Sequence, residues 1–136
     1  MDTTDNRLLM EKIFARLAEG DGRLFVEHLA DDVVIRVTGQ YSWSRTFNGK
    51  ATVLRELYGY LGTLLQGKQR TVAHRFIADG DTVAVEARGD MVTKAGVPYC
   101  NEYCLVFRLA GGKIVEMREY CDSVLTEAVL GPYPAR

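Results

Sequence analysis

The sequence has few residues of the kinds that build metal or disulfide sites. Its 136 residues include three cysteines and two histidines. Cys100 and Cys104 are four residues apart on a predicted strand, about 13 Å along it, which is beyond the reach of a disulfide. Neither His28 nor His74 stands at zinc-ligand spacing from a cysteine. We therefore expect reduced thiols and no bound metal.

An excess of one charge is also missing. The chain carries 17 Lys and Arg residues against 18 Asp and Glu, a formal net charge of -1, and its basic residues are scattered. Nucleic-acid and anionic-membrane binders usually show a basic patch instead. No apolar run approaches the roughly 20 residues of a membrane span, and the first residues lack the basic and apolar regions of a secretory signal. We expect a cytoplasmic protein that binds neither nucleic acid nor membrane.

The composition that is present is that of an ordinary globular protein. Hydrophobic residues make up 47% of the chain and charged residues 26%. A chain of this length buries about two-thirds of its unfolded surface when it folds, so it needs no disulfide or metal for stability. We predict a single domain over residues 1–136.

The first half of the chain is predicted to be mainly helical. The first helix follows possible caps at Thr3, Thr4 and Asp5 and ends before Gly20. Its apolar residues recur at helical spacing: Leu9, Met10, Ile13, Phe14 and Leu17. A short second helix leads into a β-branched strand over residues 33–37. A third helix has a wide apolar stripe: Val53, Leu54, Leu57, Tyr58, Leu61, Leu64 and Leu65.

The second half predicts four antiparallel strands, over residues 71–78, 82–93, 99–109 and 113–122. Tight turns at Asp79-Gly80, Ala95-Gly96 and Gly111-Gly112 separate them. A last helical segment follows over residues 123–130. Helices followed by a meander of strands indicate an α+β fold with the N-terminal helices laid on one curved, mainly antiparallel sheet.

The turns also predict which side chains share a face of the sheet. A three-residue loop at 110–112 would pair Leu105 with Met117, Tyr103 with Glu119 and Asn101 with Cys121. A two-residue turn at Ala95-Gly96 would then place polar side chains beside this apolar face: Arg88 by Tyr103, Asp90 by Asn101 and Glu86 by Leu105. A β-bulge would invert this parity.

The order of the helices and of the strand segments 33–37, 79–86, 96–99, 112–114 and 118–122 resembles the nuclear transport factor 2-like superfamily. Within it the chain is similar to SnoaL-like, ketosteroid-isomerase-related proteins over about residues 5–130. The resemblance implies a cone-shaped, cystatin-like barrel around an apolar pocket, often dimeric through the outer sheet face. Such folds host isomerases, polyketide cyclases, epoxide hydrolases, dehydratases and noncatalytic binders.

The catalytic residues of these relatives carry over only in part. Steroid isomerases use a carboxylate base, a tyrosine and a protonated acid, and the resemblance places Val37, Ile13 and Leu105 there, none of which can do these tasks. For limonene-epoxide-hydrolase-like enzymes it places Glu119 at the water-activating aspartate and Arg88 with Asp90 at the Arg-x-Asp pair. For the cyclase-like branch it again places the base at Glu119.

We therefore predict Glu119, Arg88 and Asp90 as catalytic residues, with Arg88 assisting Glu119. The alternative is that Glu119 forms a structural ion pair with Arg88. Candidate substrate-binding residues are Glu86, Asn101, Tyr103, Leu105, Met117, Cys121, Val37, Tyr41, Trp43 and Phe14. Tyr41 and Trp43 lie in the loop over residues 39–49, which either covers the pocket or packs down the third helix.

The leading functional hypothesis is a SnoaL-like enzyme that moves a proton on a small hydrophobic substrate without a cofactor. One alternative is a noncatalytic dimer that binds a hydrophobic ligand. The other is a cofactor-free epoxide hydrolase. In each case the expected partners are a small hydrophobic molecule and a second copy of the chain, because Val85, Cys104 and Val106 are expected on the outer sheet face.

Overall fold

A computed structural model describes residues 2–135 of the chain. Its helical segments are α1 (Thr3–Leu17), α2 (Arg23–Glu27), α3 (Lys50–Thr52), a π-helical turn (Val53–Tyr58), α4 (Gly59–Leu64) and α5 (Ser123–Leu130). Its strands are β1 (Leu29–Val37), β2 (Thr46–Asn48), β3 (Leu65–Asp79), β4 (Thr82–Thr93), β5 (Pro98–Tyr99), β6 (Glu102–Ala110) and β7 (Lys113–Cys121). Within the described residues, no helix is both long and apolar enough to cross a membrane.

The described strands form one strongly curled sheet in the order β2-β1-β7-β6-β4-β3, with β5 added beside β4. Neighbouring strands are antiparallel except β1 and β7, which run parallel. The predicted α+β fold, with N-terminal helices on a curved and mainly antiparallel sheet, is confirmed. The short strand β2 is not predicted, because three residues are too few to show a period in sequence. The predicted strand over residues 99–109 is divided into β5 and β6.

Helix α1 lies across the inner face of the sheet. Its N-cap is Asp2 rather than the predicted Thr3, Thr4 or Asp5, and the Asp2 carboxylate accepts a hydrogen bond from the Asp5 N–H at 2.9 Å. On the buried side, the Phe14 ring meets Phe76 of β3 and Phe107 of β6 edge to face, at centroid distances of 5.8 and 5.9 Å. These aromatic contacts join the helix to two strands of the sheet.

The third predicted helix contains a π-helical turn at its centre. The Gly59 N–H donates to the Leu54 carbonyl, five residues back. A Cβ atom at position 59 would lie 2.8 Å from that carbonyl oxygen, so the close turn depends on glycine. The extra residue in this turn shifts which side chains face inward beyond it, and Tyr58 points toward the space between the helices and the sheet.

The hairpin between β6 and β7 keeps the predicted inner face but has a different register. Its turn is Gly111-Gly112, with both residues at positive φ, and Ala110 pairs with Lys113. Together with a β-bulge after Arg108, this pairs Leu105 with Glu119 and Tyr103 with Cys121. For Leu105 and Tyr103 the difference from the predicted pairs is two residues, which leaves Met117, Glu119 and Cys121 on their predicted face. Nearer the turn the bulge changes the face, because Ile114 pairs with Leu109 where we expected Lys113.

The connection between β4 and β6 is longer than predicted, and this changes the face of the sheet on which the β4 side chains lie. The Thr93 N–H donates to the Val97 carbonyl, so the turn holds three residues rather than two. As a result Ala87 pairs with Tyr103, and Arg88 pairs with Glu102. Because side chains alternate across a strand, one extra turn residue moves the polar side chains of β4 to the outer face.

The predicted inner positions of Arg88, Asp90 and Glu86 are therefore wrong. Arg88 and Asp90 are exposed on the outer face. Glu86 lies on the same face, where its carboxylate pairs with the Arg75 guanidinium at 2.6 Å. The inner face of β4 carries small or apolar residues instead, among them Val85, which is also not on the outer face where we expected it.

The outer face still presents apolar surface among its charges. Ile77 and Tyr120 are 51% and 43% exposed, and Ala84, Cys104 and Val106 lie between them in the register of the sheet. Ion pairs flank these residues, one between Arg75 and Glu86 and one between Arg108 and Glu116. We propose that a second copy of the chain covers this face in solution.

We predict that replacing Gly59 by alanine destabilises the fold by about 1–3 kcal/mol, because the added methyl group collides with the Leu54 carbonyl oxygen. The matched control is Gly62→Ala, three residues on, where a Cβ meets nothing within 4 Å. There the lower backbone entropy of alanine should stabilise by about 0.5–1 kcal/mol. Denaturant unfolding measures both, and equal effects at the two positions would contradict the role given to the π turn.

We predict that the protein sediments as a dimer at micromolar concentration, because a monomer would leave the apolar side chains of the outer face exposed to water. Val106→Asp adds a charge at the centre of this face and should shift sedimentation toward the monomer, with an unchanged circular dichroism spectrum. Monomer alone at tens of micromolar would contradict the proposal.

Candidate functional site

A cavity of about 460 Å³ lies between the helices and the inner face of the sheet. Its wall is mostly apolar and includes Phe14, Phe25, Leu54, Leu61, Leu105 and Met117. Its rim combines the loop after α1 at Gly20 and Gly22 with the start of β3 at Gly67, Lys68 and Gln69. This volume and this apolar lining fit a small organic molecule.

Glu119 contributes a carboxylate to the wall of this cavity. It stands on β7 between Leu105 of β6 and Val37 of β1, both of which are buried. Its backbone carbonyl accepts hydrogen bonds from the N–H and the hydroxyl of Thr38, at 3.0 and 2.9 Å. These bonds hold the end of β7 against the chain that follows β1, and they fix where the side chain enters the cavity.

The Glu119 carboxylate has neither a salt bridge nor a hydrogen bond to any residue from 2 to 135. Burial among apolar neighbours raises its pKa from an ordinary value of 4.5 to about 7. The predicted ion pair with Arg88 is wrong, because Arg88 lies on the other face of the sheet. Near neutral pH, Glu119 is therefore present in both its protonated and its ionised form.

Two tyrosine side chains share the cavity with Glu119. Burial, and to a smaller degree the charge of Glu119, raises the pKa of Tyr58 above its ordinary value. Burial also raises the pKa of Tyr103, with further contributions from the neighbouring Tyr99 and from Glu119. Both hydroxyl groups therefore remain protonated at neutral pH and are hydrogen-bond donors.

Asn101 is fully buried and holds the start of β6 against the end of β7. Its side-chain nitrogen lies 3.0 Å from the Tyr99 hydroxyl and 3.0 Å from the Thr126 hydroxyl. Its side-chain oxygen accepts from the backbone N–H groups of Glu102 and Asp122, at 2.8 and 3.0 Å. These bonds occupy the amide completely, so Asn101 is not available to a ligand in the cavity.

Cys121 and Tyr41 belong to the same buried polar cluster. The Tyr41 hydroxyl and the Cys121 sulfur are 3.4 Å apart, and the sulfur lies 3.7 Å from the Thr126 hydroxyl. Burial raises the pKa of the Cys121 thiol, which keeps it in its less reactive protonated form. These groups connect the last strand to α5 rather than lining the cavity.

Trp43 packs on the other side of the third helical stretch. Its indole N–H donates to the Gly131 carbonyl at 2.9 Å. Its ring lies 5.6 Å from that of Tyr60 and 5.0 Å from that of Tyr133. Of the two roles left open by the sequence for this loop, packing against the helix is the one that the contacts of Trp43 support.

The predicted site residues thus divide into three groups. Those that line the cavity are Glu119, Phe14, Tyr103, Leu105 and Met117. Those buried outside its lining, wholly or in part, are Val37, Tyr41, Trp43, Asn101 and Cys121. Those on the outer sheet face are Arg88, Asp90 and Glu86.

Several lining residues are absent from the predicted set: Leu17, Gly20, Gly22, Phe25, Val26, Leu54, Tyr58, Leu61, Gly67, Lys68, Gln69, Thr71, Met91 and Phe107. A signal exists for one of them, since Tyr58 brings a hydroxyl into an otherwise apolar helical stripe. For Gly67, Lys68 and Gln69 there is no such signal, because the irregular start of β3 is visible only in its register shift.

In the described part of the chain, no three His, Cys, Asp or Glu side chains are grouped closely enough to hold a metal ion. The cavity wall carries one carboxyl group, that of Glu119, and two phenols, those of Tyr58 and Tyr103, and Lys68 stands at its rim. A carboxyl group with a pKa near 7 can accept and return a proton at neutral pH, and a phenol can donate a hydrogen bond to an oxygen that gains negative charge.

Solved structures with the same fold cover nearly the whole chain. An NTF2-like protein of unknown function from Burkholderia pseudomallei K96243 superposes with a TM-score of 0.78 at 17% identity, over 93% of this chain and 97% of that one. A candidate SnoaL-like polyketide cyclase from Jannaschia sp. CCS1 superposes with a TM-score of 0.72 at 17% identity, over 97% and 95%. An LEH-like epoxide hydrolase from M. tuberculosis superposes with a TM-score of 0.72 at 23% identity, over 94% of this chain and 90% of that one.

At these identities the structural likeness shows the fold and leaves the reaction open. The comparison with curated proteins finds no match for this chain. The model of the SnoaL-like domain matches residues 10–117, which extends from the first helix to the strand that carries Glu119. On the strength of that match the chain belongs to the SnoaL-like family, and it shares the fold of the NTF2-like structures.

Proposed function

We propose that this protein is a small-molecule enzyme that carries out cofactor-free acid–base chemistry with Glu119 as the proton-transferring group. The observation that carries the proposal is a carboxylate without a salt bridge or hydrogen bond from residues 2–135, on the wall of a largely apolar cavity, with its pKa raised to about 7. A base is most useful when its pKa lies close to the working pH, and burial brings Glu119 there.

The proposed substrate is a small hydrophobic carbonyl compound with a C–H bond beside the carbonyl group. The Glu119 carboxylate takes this proton, the C–H electron pair becomes the C=C bond of an enolate, and the carbonyl π electrons move to the oxygen. The protonated carboxyl group then returns the proton to the same carbon or to another one. All atoms and electrons balance with no further reactant, as in an isomerase or in the enolate step of a cyclase.

Relatives of the same fold support this class of function. The Jannaschia protein is named as a candidate polyketide cyclase and the M. tuberculosis protein as an epoxide hydrolase. Both names describe reactions on small organic molecules. What is proposed for this chain rests on the position of its own carboxylate, since identities of 17% and 23% do not transfer a reaction.

The epoxide-hydrolase hypothesis has less support than proton transfer. The residues that the resemblance assigns to it, Arg88 with Asp90, lie on the opposite face of the sheet from Glu119. The resemblance places Ile35 and Val37 where such enzymes hold the water with a tyrosine and an asparagine. Both are buried apolar side chains that cannot hold a water molecule by hydrogen bonds. The noncatalytic binding hypothesis uses the same cavity and is separated from the proposal by kinetics.

We predict that Glu119→Gln lowers turnover by about 10²-fold or more, because the amide keeps the size of the side chain but cannot accept the proton. Hydrophobic ketones, lactones and epoxides are screened for turnover by wild-type protein, and kcat/KM is then measured on any substrate found. It should rise with pH to a plateau above about pH 7, where Glu119 is ionised.

The control for this measurement is Glu102→Gln, which makes the same change on the outer face of the adjoining strand and should keep full activity. Wild-type rates in Glu119→Gln would contradict the proposal. Tight binding of the screened compounds with no turnover of any of them would favour the noncatalytic binder.

We predict that Glu119→Gln is more stable than the wild type at pH 8, by at most about 3 kcal/mol. The folded-state pKa of about 7 lies above the ordinary 4.5, so the folded protein loses stability as pH rises from about 4.5 through 7. The gain in the variant should therefore disappear near pH 4. Denaturant unfolding at both pH values measures it, and a loss of stability at pH 8 would indicate a hidden cationic partner instead.

A further inference from the structure

A base alone does not complete the proposed chemistry, because removing a proton beside a carbonyl group leaves negative charge on the oxygen. An apolar cavity stabilises such a charge poorly unless a hydrogen-bond donor faces the oxygen. Apart from Glu119, the described side chains that bring polar groups to the cavity are Tyr58, Tyr103 and Thr71 in its wall and Lys68 and Gln69 at its rim.

The backbone around Tyr58 is built in an uncommon way. Tyr58 is the last residue of the π-helical turn, and the Gly59 N–H closes this turn on Leu54. No side chain larger than hydrogen fits at Gly59 without a collision with the Leu54 carbonyl oxygen. Single π turns within α-helices occur often at functional sites, where they redirect a side chain. Here the two residues of this turn that line the cavity are Leu54 and Tyr58.

The Tyr58 ring is held firmly, but its hydroxyl is not occupied. The ring packs edge to face against Phe25, with centroids 5.8 Å apart and an interplanar angle of 87°. Among residues 2–135 no side chain or backbone group hydrogen-bonds to the hydroxyl, and its oxygen is not sealed from the cavity. A rigid ring with a free donor is suited to bind a ligand oxygen.

Tyr103 is less suited to this task. Its hydroxyl interacts with Tyr99, which is itself tied to Thr126 and Asn101. Its ring also lies close against β4, 3.2 Å from the point where a Cβ at Gly89 would be. Tyr103 is therefore part of the polar cluster that joins the strands to α5, whereas the Tyr58 ring packs against Phe25 and its hydroxyl lies outside that cluster.

Burial and the charge of Glu119 both keep Tyr58 protonated, because each raises the pKa of its hydroxyl. Tyr58 and Glu119 both line the cavity. When Glu119 takes a proton from the substrate its charge disappears, and new charge appears on the substrate oxygen. The negative charge near the Tyr58 hydroxyl is then on the substrate oxygen instead of on Glu119, and the site needs little rearrangement.

We propose that Tyr58 is a second catalytic residue, whose O–H donates a hydrogen bond to the substrate carbonyl oxygen while Glu119 moves the neighbouring proton. This inference rests on the proposed function and adds to it a hydrogen-bond donor for the substrate carbonyl oxygen. No proton passes from Tyr58 in this step; the hydrogen bond strengthens as the oxygen becomes negative.

The test uses ligands that imitate the enolate and need no turnover. The probes are 2-naphthol and a series of nitrophenols, whose absorbance shows whether the bound molecule is ionised. Binding is measured to Glu119→Gln, in which the neutral amide stands for the carboxyl group after it has taken the proton. Adding Tyr58→Phe should weaken binding of the ionised probes by about tenfold or more, and the loss should grow with the basicity of the bound phenolate oxygen.

The matched control is Tyr60→Phe in the same Glu119→Gln protein. Tyr60 is two residues further along the same helical stretch and packs against Trp43 and Tyr133, outside the cavity. It should leave the affinities unchanged. Tyr103→Phe should weaken binding less than Tyr58→Phe does. A thermal melt of each variant shows whether it is folded, and Tyr58→Gln, which restores a donor of different shape, should recover part of the lost affinity.

Equal affinities with and without the Tyr58 hydroxyl in folded protein would overturn the inference, as would a larger loss from Tyr103→Phe. The proposed function fails separately, through wild-type turnover in Glu119→Gln. Because phenol binding is measured without turnover, the two failures can be told apart.

Discussion

The packing of α1 on the inner face of the sheet is the contact on which the cavity depends. The Phe14 ring meets Phe76 and Phe107 edge to face, which closes the space between helix and sheet at one end. The cavity extends from this contact to the rim at Gly20 and Gly67. Weaker packing at Phe14 would let the layers collapse or slide, and the polar side chains inside would lose their apolar surroundings.

A buried carboxylate with no counter-charge is costly, and the fold accepts this cost at one place. Other carboxylates of the described residues have a cationic partner, as Glu86 has in Arg75 and Asp21 in Arg23. Glu119 stands instead between Leu105 and Val37 with only the cavity before it. Active sites typically contain an ionisable group whose burial lowers the stability of the fold. The same burial shifts the pKa of the group and so makes it reactive.

The uncommon backbone features of the protein lie near the same cavity. The π turn that ends at Tyr58 and the irregular start of β3 at Gly67 both contribute lining residues. By contrast, the polar cluster around Asn101 is satisfied internally and connects β6, β7 and α5. Membership of the SnoaL-like family places the chain among proteins with very different reactions, so this distribution of free and occupied polar groups is what distinguishes a reaction centre from scaffold.

The sequence by itself determined the order of helices and strands, the inner face of β6 and β7, and Glu119 as the acidic residue on that face. These follow from local patterns: helical spacing in α1, alternation in the strands and glycine in the turns. The predicted register between β6 and β7 is wrong by two residues at Glu119. The residue nevertheless lies on its predicted face, because the side-chain period of a strand is two.

Only the tertiary structure decided what surrounds Glu119. One additional residue in the turn at 94–96 moves Arg88 to the outer face, and thereby changes Glu119 from a neutralised carboxylate into a desolvated one. Turn length is set by how two strands meet in space, and a sequence containing Ala95-Gly96 is compatible with either length. The helical repeat places Tyr58 on the apolar stripe, but a repeat of 3.6 residues does not reveal the π turn that ends at this residue. An irregularity in a turn or helix thus decides which face the neighbouring side chains occupy. The pKa of Glu119, in contrast, depends on groups that are distant in the sequence and close in space.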